Sequence, residues 1–259
     1  MTAIRRQAFT HSWPLDDQMT AICTSSTAEH KFLANPAAQY LYVYLSRFVK
    51  ACSEHTLGRP FSEMDVLDWG CGKGQVSKLV QDLGPGSLES CDLLDDRADS
   101  AFGQKTPLLD ACGISVTPLK HDYVLPYPDG AFDVVLSVGV LEHVPNDRAS
   151  LAEINRVLKH GGLFFCFFLP TDMSWTQKLA HMRGDFYHDR FYNVRLIQQM
   201  LAEVDMKLLD AWYRQLLPKN TIRYPFFRLI ERLDQAVTEY TPLRVFATNV
   251  EFVGQKQGG

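Results

Sequence analysis

The chain has 259 residues, 46% of them apolar and 22% charged, with a formal net charge of −4. That is ordinary globular composition, which excludes collagen-like, low-complexity and disordered chains. The acid excess gives no reason to expect a nucleic-acid partner. The longest apolar run, Leu163 to Leu169, falls far short of the roughly 20 residues that a membrane-spanning helix needs. The two arginines near the N-terminus have no apolar stretch behind them, so no secretory signal is read there. Six cysteines stand singly, with no C-x-x-C pair. They read as free, buried thiols of a reducing compartment, and the cytoplasm is the expected location.

In chain order, residues 1 to about 30 are polar and irregular. Asn35-Pro36 reads as a helix start, with Leu41, Tyr44, Leu45, Phe48 and Cys52 on one face. From about residue 64 short strands alternate with helices. Met64–Trp69 runs into Gly70-Cys-Gly-Lys-Gly74, and a helix with Val76, Leu79, Val80 and Leu83 follows. Ser87 to Cys91 is a second strand ending at Asp92. Ile114 to Leu119 is a third and Phe132 to Val138 a fourth. Asn146 caps a helix stopped by Gly161-Gly162, and Leu163 to Leu169 is the fifth strand. This alternation predicts βαβ units and a mostly parallel sheet covered on both faces.

Thr171 to about Phe191 shows no clear period. Asn193 caps a further helix, Lys207 to Trp212 reads as a strand, and Arg244 to Val253 as the last one. Between them Arg223, Arg228 and Arg232 flank Phe226, Phe227, Leu229 and Ile230. We read that stretch as a helix packed over the sheet or the site; a dimer contact or a peripheral membrane contact stays open.

The glycine loop lets a ligand approach the backbone closely, and the helix behind it offers unpaired N–H donors. Gln75 stands where a dinucleotide fingerprint places its third glycine. Asp68 lies two residues before the first glycine, where a carboxylate would oppose a diphosphate but suit an ammonium group. Asp92 stands where a carboxylate can accept two ribose hydroxyls, and Asp122 with Tyr123 could meet an adenine.

Val66-Leu-Asp-Trp-Gly-Cys-Gly-Lys-Gly74 resembles motif I of the class I S-adenosylmethionine (SAM) dependent methyltransferases. Phe132 to Pro145 resembles that family's fourth-strand motif. Leu158-Lys-His-Gly-Gly162 resembles its L-K-P-G-G turn, with His160 in place of proline. The resemblance spans roughly residues 64 to 170 and is greatest to the branch holding ubiquinone-pathway and small-molecule enzymes. It implies a Rossmann-like α/β fold: a seven-stranded, mostly parallel sheet of order 3-2-1-4-5-7-6, helices on both faces, and the last strand antiparallel. It implies three stretches: a helical, substrate-covering segment at 1–60, a SAM-binding core at 61–170, and an acceptor-covering part at 171–259 that completes the sheet.

SAM is the implied cofactor. Its candidate contacts are Asp68, Gly70, Cys71, Gly72, Gly74, Gln75, Asp92, Leu93, Asp122, Tyr123 and Ser137. Glu142 and His143 follow the fourth strand, where the acceptor would sit; with His188 they are the candidate catalytic residues, His143 foremost because its imidazole titrates near neutrality. Tyr187 is a further candidate base, and Arg183 or Arg190 a candidate anion anchor. His181, Asp185 and His188 have helical spacing, but Val138 and Val140 offer no additional acid, and no metal is expected. The expected acceptor is a small molecule, a sugar or a lipid-linked precursor, with a hydroxyl favoured. The expected assembly is a monomer or homodimer. A catalytically silent SAM-binding regulator and an NAD(P)-dependent oxidoreductase are the alternatives.

Overall fold

A computed structural model describes residues 3–5, 36–93, 109, 112–121, 123–184, 190–217 and 225–258. Helix α1 (Pro36–Leu57) begins at the proline whose fixed φ suits a first helical position. Its Leu41, Tyr44, Leu45, Phe48 and Cys52 are all buried, as their spacing requires. Gly58, at φ +68°, ends it and donates to Glu54 O at 3.0 Å. A 3₁₀ turn (Phe61–Glu63) leads to β1 (Asp65–Trp69).

The core then runs α2 (Gln75–Asp82), β2 (Ser87–Leu93), β3 (Val116–Leu119), β4 (Phe132–Val138), α3 (Asp147–Val157) and β5 (Leu158–Pro170). The remainder is α4 (Trp175–Met182), α5 (Val194–Ala202), β6 (Met206–Arg214), α6 (Phe227–Tyr240), a 3₁₀ helix (Pro242–Phe246) and β7 (Asn249–Lys256). The sheet order is β3-β2-β1-β4-β5-β7-β6, as the resemblance implied. β1 to β5 pair in parallel, and β7 is antiparallel to both neighbours.

Alternation divides the sheet between two cores. Val66, Val134, Leu136, Phe165 and Phe167 face α1, where Phe48 meets Phe165 and Trp212 edge-on at centroid distances of 5.9 and 5.3 Å. Leu67, Trp69, Val135, Phe164 and Cys166 face the other way, toward Leu151 and Ile154 of α3 and Ile197, Met200 and Leu201 of α5. Asn146 and Asn193 cap α3 and α5 by accepting from Ala149 N and Leu196 N at 3.0 and 2.9 Å. Among the described cysteines Cys52, Cys71, Cys91, Cys112 and Cys166 are free thiols. No helix among the described residues is long and apolar enough to cross a membrane.

Three expectations need correction. Gly161-Gly162 does not stop α3: the helix ends at Val157, and β5 starts at Leu158, where a bulge opposite Phe132 and Val134 absorbs the glycines. Arg244 to Thr248 is not strand. Pro242 and the Thr241 hydroxyl, which accepts from Leu243 N at 3.2 Å, start a 3₁₀ turn there instead, and β7 begins at Asn249. The stretch that shows no period contains α4, capped by Ser174, whose hydroxyl accepts from Gln177 N at 3.2 Å. α4 has no fully buried residue, so no apolar stripe announces it.

At the amino ends of the strands Asp133 joins β1, β4 and β5. Its carboxylate accepts from Asp65 N at 2.9 Å, from Lys159 Nζ at 2.9 Å, and from the Arg59 guanidinium. Lys159 also reaches Asp65 at 2.6 Å and holds that carboxyl below its usual range. The opposite, carboxyl ends are thereby left to the loops that build the site.

Candidate active site

The chain leaves β1 into a turn that only glycine adopts without strain. Gly70, Gly72 and Gly74 have φ of +74°, +55° and +85°. Gly70 N and Cys71 N both donate to Cys91 O, at 2.8 and 3.1 Å, which pins the turn to β2. Space is restricted as well as φ. A Cβ on Gly70 would lie 2.4 Å from Val140 Cγ2, and one on Gly74 would lie 2.3 Å from Leu109 Cδ2. Val140 and Leu109 have no signature in the sequence that marks them as walls of this turn.

Asp92 ends β2 beside the turn. Its Oδ2 accepts from Gly72 N at 2.6 Å and its Oδ1 from Leu93 N at 2.7 Å. Each oxygen keeps further lone-pair capacity, and the side chain is partly exposed, so hydroxyls of a ligand can still be accepted. Burial pushes the Asp92 pKa up, while the two N–H groups act against the shift.

Asp68 lies beneath the turn, only 1% exposed. It accepts from the Ser77 hydroxyl at 2.6 Å and from the Ser77 backbone N–H, and so caps the first turn of α2 from below. Burial foremost, with the Asp92 charge adding, pushes its pKa up to about 7. Gln75, the first residue of α2, keeps Oε1 buried with no hydrogen-bond partner among the described residues. Cys71 is buried and its thiol is pushed well up by desolvation, which makes it a packing group rather than a nucleophile.

Leu93 and Tyr123 stand partly exposed at the ends of β2 and just beyond β3; the Tyr123 ring meets His121 edge-on at 4.5 Å. Ser137 is buried inside β4, beside the Cys166 thiol. Asp122, Tyr187 and His188, like Asp185, lie outside the described residues. Among the described residues no His, Cys, Asp and Glu cluster could hold a metal.

After β4 the chain turns at Gly139, φ +69°, whose N–H donates to Phe167 O at 3.1 Å. Glu142 then points inward, its side chain 2% exposed, with Oε2 lacking a hydrogen-bond partner among the described residues. Burial pushes its pKa up to about 8, so the carboxyl is neutral at pH 7. His143 is exposed, with Nε2 3.8 Å from Glu142 Oε1. Desolvation holds the imidazole below its usual pKa, so it too is neutral at pH 7 and can take up a proton.

Arg190, one of the two candidate anion anchors, has a structural task. Its guanidinium donates to Val144 O and, at 2.5 Å, to Pro145 O, and so fixes the loop that carries Glu142 and His143. Tyr192 adds a bond to Leu141 O at 3.3 Å. Sequence reasoning misses this role, because the partners stand some 45 residues apart and are backbone carbonyls, which any residue supplies.

The geometry thus gives a narrow glycine cradle, an adjacent carboxylate with spare acceptor capacity, and a neutral acid–imidazole pair one strand away. Residues 67–166 match the family model described as a methyltransferase domain. An uncharacterised methyltransferase of Schizosaccharomyces pombe is 28% identical over 151 residues, covering 55% of this chain and 53% of its own length. A ubiquinone biosynthesis O-methyltransferase of Maricaulis maris is 31% identical, covering 42% of this chain and 41% of its own. The chain thus spans about half or less of the length of these relatives. In structure it is similar to a putative sarcosine dimethylglycine methyltransferase of Galdieria sulphuraria: the TM-score is 0.57 at 16% identity, over 86% of this chain and 90% of that one, which shows a shared fold. The match places a methyltransferase domain, of the kind that uses SAM, within residues 67–166 of this chain.

SAM is the cofactor that the domain implies. The residues fit it. The cradle admits no side chain, so a ligand can reach the backbone of Gly70 to Gly74. Asp92 keeps acceptor capacity for hydroxyls, and its carboxylate beside the turn disfavours a diphosphate there.

Proposed function

We propose that the protein transfers a methyl group from SAM to a hydroxyl of a small-molecule, sugar or lipid-linked acceptor. The observation that carries the reading is the left-handed Gly70–Gly74 turn, closed by Val140 and Leu109 and bonded to Asp92 through Gly72 N–H. SAM supplies a methyl group already activated on a sulfonium centre. The turn would hold the amino-acid part of the cofactor, Asp92 would accept from the ribose hydroxyls, and Asp122 with Tyr123 would meet the adenine. What remains for the protein is to align the acceptor, and proximity and orientation can supply about 7–11 kcal/mol.

A hydroxyl acceptor must also lose its proton. His143, neutral at pH 7 and exposed at the carboxyl end of β4, is the group we assign to receive it. Glu142, protonated beside it, shapes the inner wall of the acceptor space and places no charge there. Arg190 holds both in position through the loop carbonyls.

Calorimetric titration tests the cofactor: SAM and S-adenosylhomocysteine bind and NADH does not, whereas binding of NADH alone would overturn the reading. His143→Asn tests the base. Turnover falls about 100-fold or more, the usual contribution of a positioned base, while SAM affinity stays within about twofold. Turnover unchanged at every pH removes the assignment.

A further inference from the structure

Helix α6 is built inside out. Its acidic residues, Glu231, Asp234 and Glu239, line a cavity of about 420 Å³ on the inner side, between α6 and β6. Glu231 approaches the buried Arg214 at 3.6 Å, and Asp234 accepts from Leu217 N at 2.9 Å. Thr238 is buried on the same side. Three large apolar residues take the other side: Phe226, Leu229 and Leu233 are 83%, 58% and 54% exposed. The two arginines of the helix, Arg228 and Arg232, are exposed beside them, and Leu243 of the following 3₁₀ turn is exposed too.

The usual arrangement, an apolar stripe on the core and charges in water, is therefore reversed. The inner polar face has its reason, since it meets Arg214 and a backbone N–H. On the outer face Phe226, Leu229 and Leu233 meet solvent instead. Phe226 strengthens the point. It has φ +56°, a conformation that costs a bulky residue energy, and it precedes the helix with its ring turned to solvent. Phe227, the next residue, turns inward onto Tyr40 of α1.

We propose that the outer face of α6 docks on an anionic lipid surface. Phe226, Leu229 and Leu233 would enter the acyl boundary, while Arg228 and Arg232 meet the lipid phosphates and carboxylates. Charge complementarity selects this occupant. The chain carries a net charge of −4, yet the exposed charges of this helix are cationic, with its acids turned inward. A second copy docking through the same face would present a patch of the same charge, whereas an anionic surface neutralises it. The inference stands apart from the proposed reaction, because docking needs neither cofactor nor acceptor.

Vesicle flotation of the full chain tests it. Wild-type protein should float with phosphatidylcholine vesicles that are about one-third phosphatidylserine, and not with phosphatidylcholine alone. Leu229→Ser with Leu233→Ser should lower the partition about tenfold. Arg232→Glu should lower it at least about fivefold at low salt, with the difference shrinking as salt screens the charges. These side chains are exposed, so thermal unfolding and SAM affinity should match the wild type and separate lost docking from lost folding. Failure of the wild-type chain to float, flotation indifferent to lipid charge, or partition unchanged by the serine pair would overturn the proposal. So would a wild-type dimer that the serine pair splits, since a second copy would then occupy the face.

Discussion

Gly70 faces Val140 so closely that a Cβ on the glycine would lie 2.4 Å from Val140 Cγ2. This single approach joins the two halves of the site: the turn after β1, which would hold the cofactor, and the loop after β4, which carries Glu142 and His143. Gly70→Ala should therefore fail for two separable reasons. The positive φ costs about 1–2 kcal/mol, and the overlap adds about 1–3 kcal/mol. Adding Val140→Ala should recover most of the second part and none of the first, since only Val140 Cβ, at 3.1 Å, would still press on the new methyl; denaturant unfolding of the single and double variants would show it.

Asp92→Ala should weaken SAM binding about 10- to 100-fold, the loss expected for hydrogen bonds to a charged acceptor. The Gly72 and Leu93 N–H groups lose their partner, but the partly exposed position lets water replace it. The melting temperature of the free protein should accordingly fall by no more than about 4 °C. Calorimetry with SAM, beside a melting curve without it, checks both.

Glu142 should make the protein less stable as pH rises. The unfolded carboxyl loses its proton near pH 4.5, whereas the folded one keeps it until about pH 8. Between those values the folded state holds more protons, so stability falls with increasing pH, by at most about 1.4 kcal/mol per unit. Glu142→Gln cannot ionise. It should match the wild type near pH 5 and exceed it near pH 8, with the residual slope of the variant set partly by Asp68, whose pKa is pushed up in the same direction. Melting curves across that range decide the matter.

Asp133→Ala should do the reverse of Asp92→Ala. It removes the acceptor shared by Asp65 N, Lys159 and Arg59, at the end of the sheet away from the site. Losing one partner of a largely buried cluster costs about 2–3 kcal/mol here, because both cations are partly exposed. SAM affinity should be unchanged, measured well below the melting temperature.

The sequence by itself determined the strand–helix alternation, the glycine turn and the placing of Asp92 beside it. Each of these is local: periodicity follows from side-chain geometry, and a run of glycines before a helix declares a turn that other residues resist. The caps Asn146 and Asn193 were legible for the same reason. Only the tertiary structure decided the rest. Asp133 and Lys159 stand in stretches that resemble family motifs, yet they tie the amino ends of strands. Arg190 was one of two candidate anchors in the sequence, and the fold shows that it holds a loop through backbone oxygens. Glu142 became a neutral acid because strands and loops distant in sequence remove it from water. The arginines and phenylalanines around α6 were visible as a pattern, but their direction was not. Which face of an amphipathic helix turns inward depends on what awaits it, and here Arg214 and Leu217 N–H drew the acids in and left the apolar side outward. Periodicity fixes that a helix has two faces; desolvation and pairing with residues far along the chain fix which one is buried.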